Sequence, residues 1–331
     1  MFSKRTIIVG VLSSLLLTGC SVVSKFLPDS AATNLLSGRE GSNGPVLVVK
    51  IDDTTQAHPQ IGLEDADIVY IEQVEGGLTR LAAVFSSVVP QRIGPVRSAR
   101  ISDIEIMSQF GRVAFAYSGA QSKLLPVIAA ANLQDLGAQR QSPTIFTTDP
   151  TRIQPYAMVL RADLLMQKIK DDNYQIDSAK SVGFKFGPLQ EGGAETSKAV
   201  MYWPAATYSA TWSVDESRWL LSHNNSLNLA DSGVVLGPTT LVIQMVSITP
   251  SEYKDKIGGV TPFSQTVGTG KAYVLRNGQR FATTWTRASA EVGTTFSYAD
   301  GTVMNFDPGQ IWIVLTDQEP DFTSPPATKT K

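Results

Sequence analysis

An α+β fold is predicted, in which an N-terminal mixed α/β sheet domain is followed by a mostly antiparallel β C-terminal domain. Three observations carry the expectation. In the first half, apolar β-branched runs alternate with short helix-like segments. After about residue 198 the composition changes to Trp, Thr, Val and Tyr in short runs separated by Gly, Pro and Asn, and all five tryptophans, from Trp203 to Trp312, fall there. The 331 residues are 42% hydrophobic and 18% charged, enough for about two cores. That balance excludes a disordered, collagenous or polytopic membrane chain. The formal charge of −2 supplies no general field for nucleic acid, which is not expected as a partner.

At the start, Lys4 and Arg5 precede thirteen uncharged residues, Thr6 to Thr18, too short a run to span a bilayer but of the size of a secretory h-region. The run ends in Leu17-Thr18-Gly19-Cys20, which resembles the lipobox of bacterial lipoproteins. The resemblance implies cleavage after residue 19, lipidation of Cys20, and an anchor of two or more acyl chains on the extracytoplasmic face of the cell membrane. Removing residues 1–19 takes away Lys4 and Arg5 and leaves a mildly acidic mature chain. Cys20 is the single cysteine, so neither a disulfide nor a thiolate metal site is expected.

Residues 20–44 are rich in Ser, Gly and Asn and show no sustained period, and they read as a flexible tether. The N-terminal α/β domain is assigned to residues 45–190. It opens with a strand over Pro45 to Asp52, then two strand-like runs, Asp67 to Val74 and Leu78 to Val88, joined by a tight turn at Gly76-Gly77. Ser102 and Glu105 have capping-box spacing and predict a helix from about Asp103 to Phe110. A strand at Val113 to Tyr117, a helix at Ser122 to Ala131 with Pro126 near its first turn, and a helix at Tyr156 to Lys170 follow. The β-rich domain is assigned to residues 198–317, with a hairpin about Asn277-Gly278, another about Asp300-Gly301 and a closing strand at Ile311 to Leu315. Residues 318–331, with Pro320, Pro325 and Pro326, read as a disordered tail.

Residues 66–70 (ADIVY), 74–80 (VEGGLTR) and 93–100 (IGPVRSAR), continued by 109–112 (QFGR) and 116–119 (AYSG), resemble the YerB-type bacterial lipoprotein family, and residues 278–312 resemble that family's separate C-terminal domain. The resemblance implies a lipid-anchored, two-domain envelope protein and no particular reaction. Where that family's pattern has Pro-His-Asn, this chain has Pro143-Thr144-Ile145.

The densest group of chemistry-bearing side chains is Arg80, Arg92, Arg97, Ser98 and Arg100. Two guanidinium forks just ahead of a helix suit a phosphate or carboxylate. The same arginines could instead pair internally with Asp67, Glu72, Glu75 or Asp103. The expected ligand-binding residues are therefore Arg80, Arg97, Ser98 and Arg100, with Asp67, Glu72 and Glu75 as acidic partners or catalytic groups. The function expected is binding of an anionic wall polymer or envelope protein, without catalysis; the alternative is a hydrolase of wall glycan or its phosphates, using Glu72, Glu75 or Asp52. No cofactor is expected. His58 and His223 are the only histidines and belong to no motif, and Asp52-Asp53 reads as a turn rather than a cation site, so no metal is assigned.

Overall fold

A computed structural model describes residues 32–326, and the described residues from Thr33 onward form one compact unit. The predicted signal segment and Cys20 lie outside the described residues. No helix among the described residues is long and apolar enough to cross a membrane.

The N-terminal segment contributes β1 (Leu47–Asp52), β2 (Ile68–Gln73), β3 (Thr79–Phe85), α1 (Ile101–Ser108), β4 (Val113–Ala116), α2 (Leu125–Ala130), β5 (Leu133–Asp135) and α3 (Ala162–Asp171). The C-terminal segment contributes β6 (Ala194–Glu195), β7 (Lys198–Trp203), β8 (Ala206–Ser213), β9 (Arg218–His223), β10 (Ser226–Leu227) and β11 (Thr240–Met245). It continues with β12 (Ile248–Lys254), β13 (Val260–Ser264), β14 (Gly268–Arg276), β15 (Gln279–Arg287), β16 (Thr295–Ser297), β17 (Ile311–Thr316) and β18 (Asp321–Thr323).

Eleven of these strands form one sheet in the order β6-β15-β14-β11-β17-β2-β3-β1-β4-β5, with β16 also on β15. The N-terminal part is mixed: β1 runs antiparallel to β3 and parallel to β4. The C-terminal part is mostly antiparallel, as in β11-β14-β15, and a separate all-antiparallel sheet, β10-β9-β8-β7-β18, accompanies it. The α+β class and its mixed-then-antiparallel division are thus as the sequence predicts. The strand expected to close the chain lies at the centre: β17 is parallel to β11 on one side and to β2 on the other. Its six residues are all buried, which is why it is apolar without alternation.

Successive residues of a strand face opposite sides, and the cores divide accordingly. Val49, Val69, Ile71 and Leu81 pack with Leu165 of α3 and with Tyr208, Trp219 and Leu221 of the second sheet. Val48, Tyr70, Ala82 and Val84 pack with Ile106, Met107 and Phe110 around α1, and with Phe281, Phe296 and Phe306. Four of the tryptophans are buried in these cores, and the partly buried Trp212 lies 5.3 Å from Trp219.

Several local expectations are corrected. Residues 33–44 are packed onto the body rather than tethering it: Asn34 Oδ1 accepts from the Leu36 and Ser37 amides, the Ser37 hydroxyl reaches Asp67 at 2.6 Å, and Leu36 is buried. Their Ser and Asn side chains close turns, a use that composition does not distinguish from a linker. Part of the expected tail, β18, adds to the edge of β7, where Phe322 meets the Tyr273 ring at 4.9 Å. Helix α1 starts two residues early, with the Asp103 carboxylate accepting from the Arg100 amide at 2.7 Å. Ser102 and Glu105, the expected capping pair, instead accept from the backbone amides of Ser264, Thr266 and Val267. The expected helix from Tyr156 is a strand over Met158–Arg161 followed by α3, because Val159 and Leu160 pair with residues 146 and 147 and with Ile93.

The β2-β3 turn needs its glycines. Gly76 and Gly77 have φ of 71° and 73°, and a Cβ on Gly77 would stand 2.5 Å from Pro204 Cβ, whereas one on Gly76 meets nothing. Gly77→Ala is therefore expected to cost about 2 kcal/mol or more, from the left-handed backbone plus overpacking. Gly76→Ala should cost only the backbone part, and denaturant melts of the two variants measure the difference. Equal losses would mean that Pro204 yields freely.

Candidate functional site

Cross-strand register sets the site. Asp52 and Glu72 both oppose Arg80, on β1 and β2 against β3, so Lys50, Asp52, Glu72 and Arg80 share one sheet face at one end of the central strands. The segment 96–100 passes over that end, with the Arg97 amide donating to the Lys50 carbonyl at 2.8 Å. It brings in Arg97, Ser98 and Arg100. The β12-β13 hairpin of the C-terminal segment forms the opposite wall. Between them is a cleft of about 440 Å³, lined on one side by Glu75, Arg80, Arg97, Ser98 and Arg100 and on the other by Tyr253 to Ile257 and Thr261.

All four expected ligand-binding residues thus line one cleft. Their partners differ. Arg100 holds Glu75 through two bonds to Oε2, of 2.9 and 2.7 Å. Burial alone would raise the Glu75 pKa, but Arg100, together with the Thr261 hydroxyl, outweighs it and holds the carboxyl below its ordinary range. Arg97 Nε stands 2.6 Å from Asp52 Oδ2, and its guanidinium lies 5.9 Å from the centre of the Tyr156 ring. Arg80 has no carboxylate within ion-pair distance among the described residues and donates only to the Ser98 carbonyl, at 3.3 Å. Burial, then the charge of Arg100, pushes its pKa down to about 9, against the pull of Asp52. It stays charged at neutral pH, and an anion would relieve it. Lys254 and Lys256, both exposed, add positive charge from the opposite wall, offset by Asp255.

The remaining expected residues stand elsewhere. Asp67 is a buried staple that accepts from the Ser86 and Ser87 amides at 2.7 and 2.8 Å and from the Ser37 hydroxyl. Arg92 is exposed and lies 3.5 Å from Asp149. Glu72 does not line the cleft; it is buried with Asp103 around Lys50, whose ammonium reaches Glu72 Oε1 and, at 2.8 Å, Asp103 Oδ1. Lys50 escapes notice in the sequence because it sits in an apolar strand; an isolated lysine within such a run was the signal available.

The structure also gathers residues that looked isolated in the sequence. On the opposite face of the same sheet end, Asp53, His58 and His223 meet, their nearest ligand atoms all within 4.8 Å of one another. The two imidazoles stack at 4.6 Å, 10° from parallel. No sequence spacing could show this, since β9 carries His223 in from the second sheet.

What these features define is a class: a mostly β protein whose two sequence segments share a mixed sheet and enclose a cationic cleft. Residues 32–175 match the family described as "Protein of unknown function (DUF3048) N-terminal domain", and residues 199–313 match the corresponding C-terminal domain. The chain belongs to this family. It is 41% identical over 75 residues to the Bacillus subtilis (strain 168) protein named "Putative lipoprotein YerB", a stretch of 23% of this chain and 22% of that one. The crystal structure of the YerB protein from Bacillus subtilis superposes with a TM-score of 0.74 and 19% identity, covering 88% of this chain and 99% of that one. At that identity the likeness establishes the fold.

Proposed function

We infer that this chain is a lipid-anchored binding protein of the bacterial envelope, whose cleft takes a phosphate or carboxylate of an anionic wall polymer or envelope partner. Arg80 carries the reading: a largely buried guanidinium facing a cleft, with two further arginines beside it and no carboxylate paired to it among the described residues. A structural arginine would be expected to have its acid in place, as Arg100 has Glu75. Attachment through Cys20 on the extracytoplasmic face rests on the lipobox-like run and on the name of the Bacillus subtilis relative.

The hydrolase alternative has less support. It needs a carboxyl in the cleft that holds a proton near neutral pH; Glu72, raised to about 7, is buried off the cleft, and Glu75, which lines it, is held ionised by Arg100.

Thermal shift of the full chain in detergent, with phosphate-bearing wall polymer as probe, tests the reading. A shift is expected that falls with salt. Arg80→Ala should remain folded and bind roughly tenfold or more weakly, the loss of one charge-assisted pair. If folded Arg80→Ala and Arg97→Ala variants bind undiminished, the cleft is not the site. If no shift appears at all, the polymer is excluded and cross-linking to an envelope protein becomes the next test.

A further inference from the structure

Asp53, His58 and His223 are contributed by both sequence segments. Asp53 follows β1 and Thr79 begins β3, and, next to Asp52 and Arg80, they turn their side chains to the opposite sheet face, toward the second sheet, where they meet each other. There β8 and β9 place Tyr208 directly opposite His223. Asp53 is fully buried in charge terms yet well supported: Oδ2 accepts from the Thr79 hydroxyl at 2.6 Å and Oδ1 from the Tyr208 hydroxyl at 2.6 Å.

The orientation of His58 is fixed in the same way. Its Nδ1 lies 3.0 Å from Asn228 Oδ1, an oxygen that can only accept, so the ring donates there. Nε2 is then the free position, and it points at Asp53 Oδ1, 3.4 Å away. In a neutral ring that would set a nitrogen lone pair against a carboxylate oxygen. The Gln60 amide nitrogen stands beside both, 3.2 Å from His58 Nε2 and 3.3 Å from Asp53 Oδ1, and its two protons serve them, while its own Oε1 is buried without a partner. Turning that amide over would aim an oxygen at the same point. In that second arrangement three acceptors converge on one point, a place that a cation would fill.

We propose that Asp53, His58 and His223 form a binding site for a divalent transition metal, zinc first, with Gln60 Oε1 as a further oxygen donor. Two imidazoles and a carboxylate are the donor set such ions take, and ligand atoms around zinc stand about 3.3 Å apart for bonds of about 2.0–2.1 Å. A spread within 4.8 Å closes to that by side-chain rotation of His223 and Gln60. The outer partners are those that orient metal ligands elsewhere: Asn228 on the distal imidazole nitrogen, and Thr79 and Tyr208 on the carboxylate. The ion would tie the loop after β1 to β9, and so clamp one sequence segment to the other.

The test is calorimetric titration of Zn²⁺ into the metal-stripped full chain in detergent. One equivalent is expected to bind to the wild type and to the exposed-site control Arg92→Ala, and at least tenfold more weakly to His58→Ala and His223→Ala. Because His223 is buried and loss of its side chain can itself prevent folding, Co²⁺ is added to the wild type as well: visible ligand-field bands that Zn²⁺ abolishes support the site independently. The proposal is overturned if the wild type takes up no stoichiometric Zn²⁺ and shows no Co²⁺ bands. It is equally overturned if folded His58→Ala and His223→Ala variants bind Zn²⁺ as the wild type does; the cluster is then held by protons alone.

Discussion

Replacing Lys50 by Met is expected to destabilise the protein by about 3–5 kcal/mol, because, among the described residues, the ammonium is the only cation bonded to these two fully buried carboxylates. The methionine would fit the volume but leave Glu72 and Asp103 facing one another without a counter-charge. The triple variant Lys50→Met, Glu72→Gln, Asp103→Asn should recover much of the loss, since it is the unpaired charge rather than the missing bond that costs. Denaturant melts of the two variants distinguish these outcomes; a single variant as stable as the wild type would mean that both acids are already neutral.

The same triad sets a pH dependence. Burial, and then the neighbouring Asp103 carboxylate, raise the Glu72 pKa from 4.5 to about 7, with Lys50 opposing them only in part. Glu72 Oε2, moreover, has no hydrogen-bond partner to stabilise its charge. The native state therefore binds this proton more tightly than the unfolded chain, and the stabilisation from it is complete below 4.5 and lost as pH rises through about 7. Wild type minus Glu72→Gln, measured as unfolding free energy across that window, should fall with rising pH. A flat difference would show that Glu72 is ionised throughout.

Local pattern carried much of this fold, and it carried the arginines. Asn277-Gly278 turns between β14 and β15 with φ of 50° and 70°, and Gly76-Gly77 does the same service between β2 and β3, because positive φ has few residue solutions. The arginines of 93–100 converge with Arg80 because the chain crosses the strand ends locally. What escaped detection depends on distant pairing. The Ser102 and Glu105 side chains look like caps, yet their partners are more than 160 residues away in sequence. His58 and His223 are separated similarly, and no period or spacing records that β9 packs against the loop after β1. Lys50 was hidden for a related reason: its two acids come from β2 and α1, which the sequence does not place side by side.

Trp312→Ala is expected to cost about 3–5 kcal/mol and to lower the stability of both sequence segments together. Trp312 is fully buried on β17, its indole N–H donates to Gln310 Oε1 at 2.8 Å, and the Gln310 amide in turn donates to the carbonyls of Leu63 and Ala66 at 2.8 and 3.0 Å. The side chain therefore fills a core while its neighbour fastens the chain just before β2. Register reinforces this, with Val69 opposite Trp312 on one side and Leu241 opposite it on the other. A cavity here loosens a strand to which both segments are hydrogen-bonded. Since β2 has its other edge on β3, loss of β17 would expose an unpaired, buried-type edge at the middle of the sheet. Hydrogen exchange at the Val69 and Val242 amides reads the two segments separately, and both should gain exchange to the same extent in the variant, with one cooperative transition in denaturant. Two separated transitions, or faster exchange at Val242 alone, would show that the shared sheet does not couple the segments energetically.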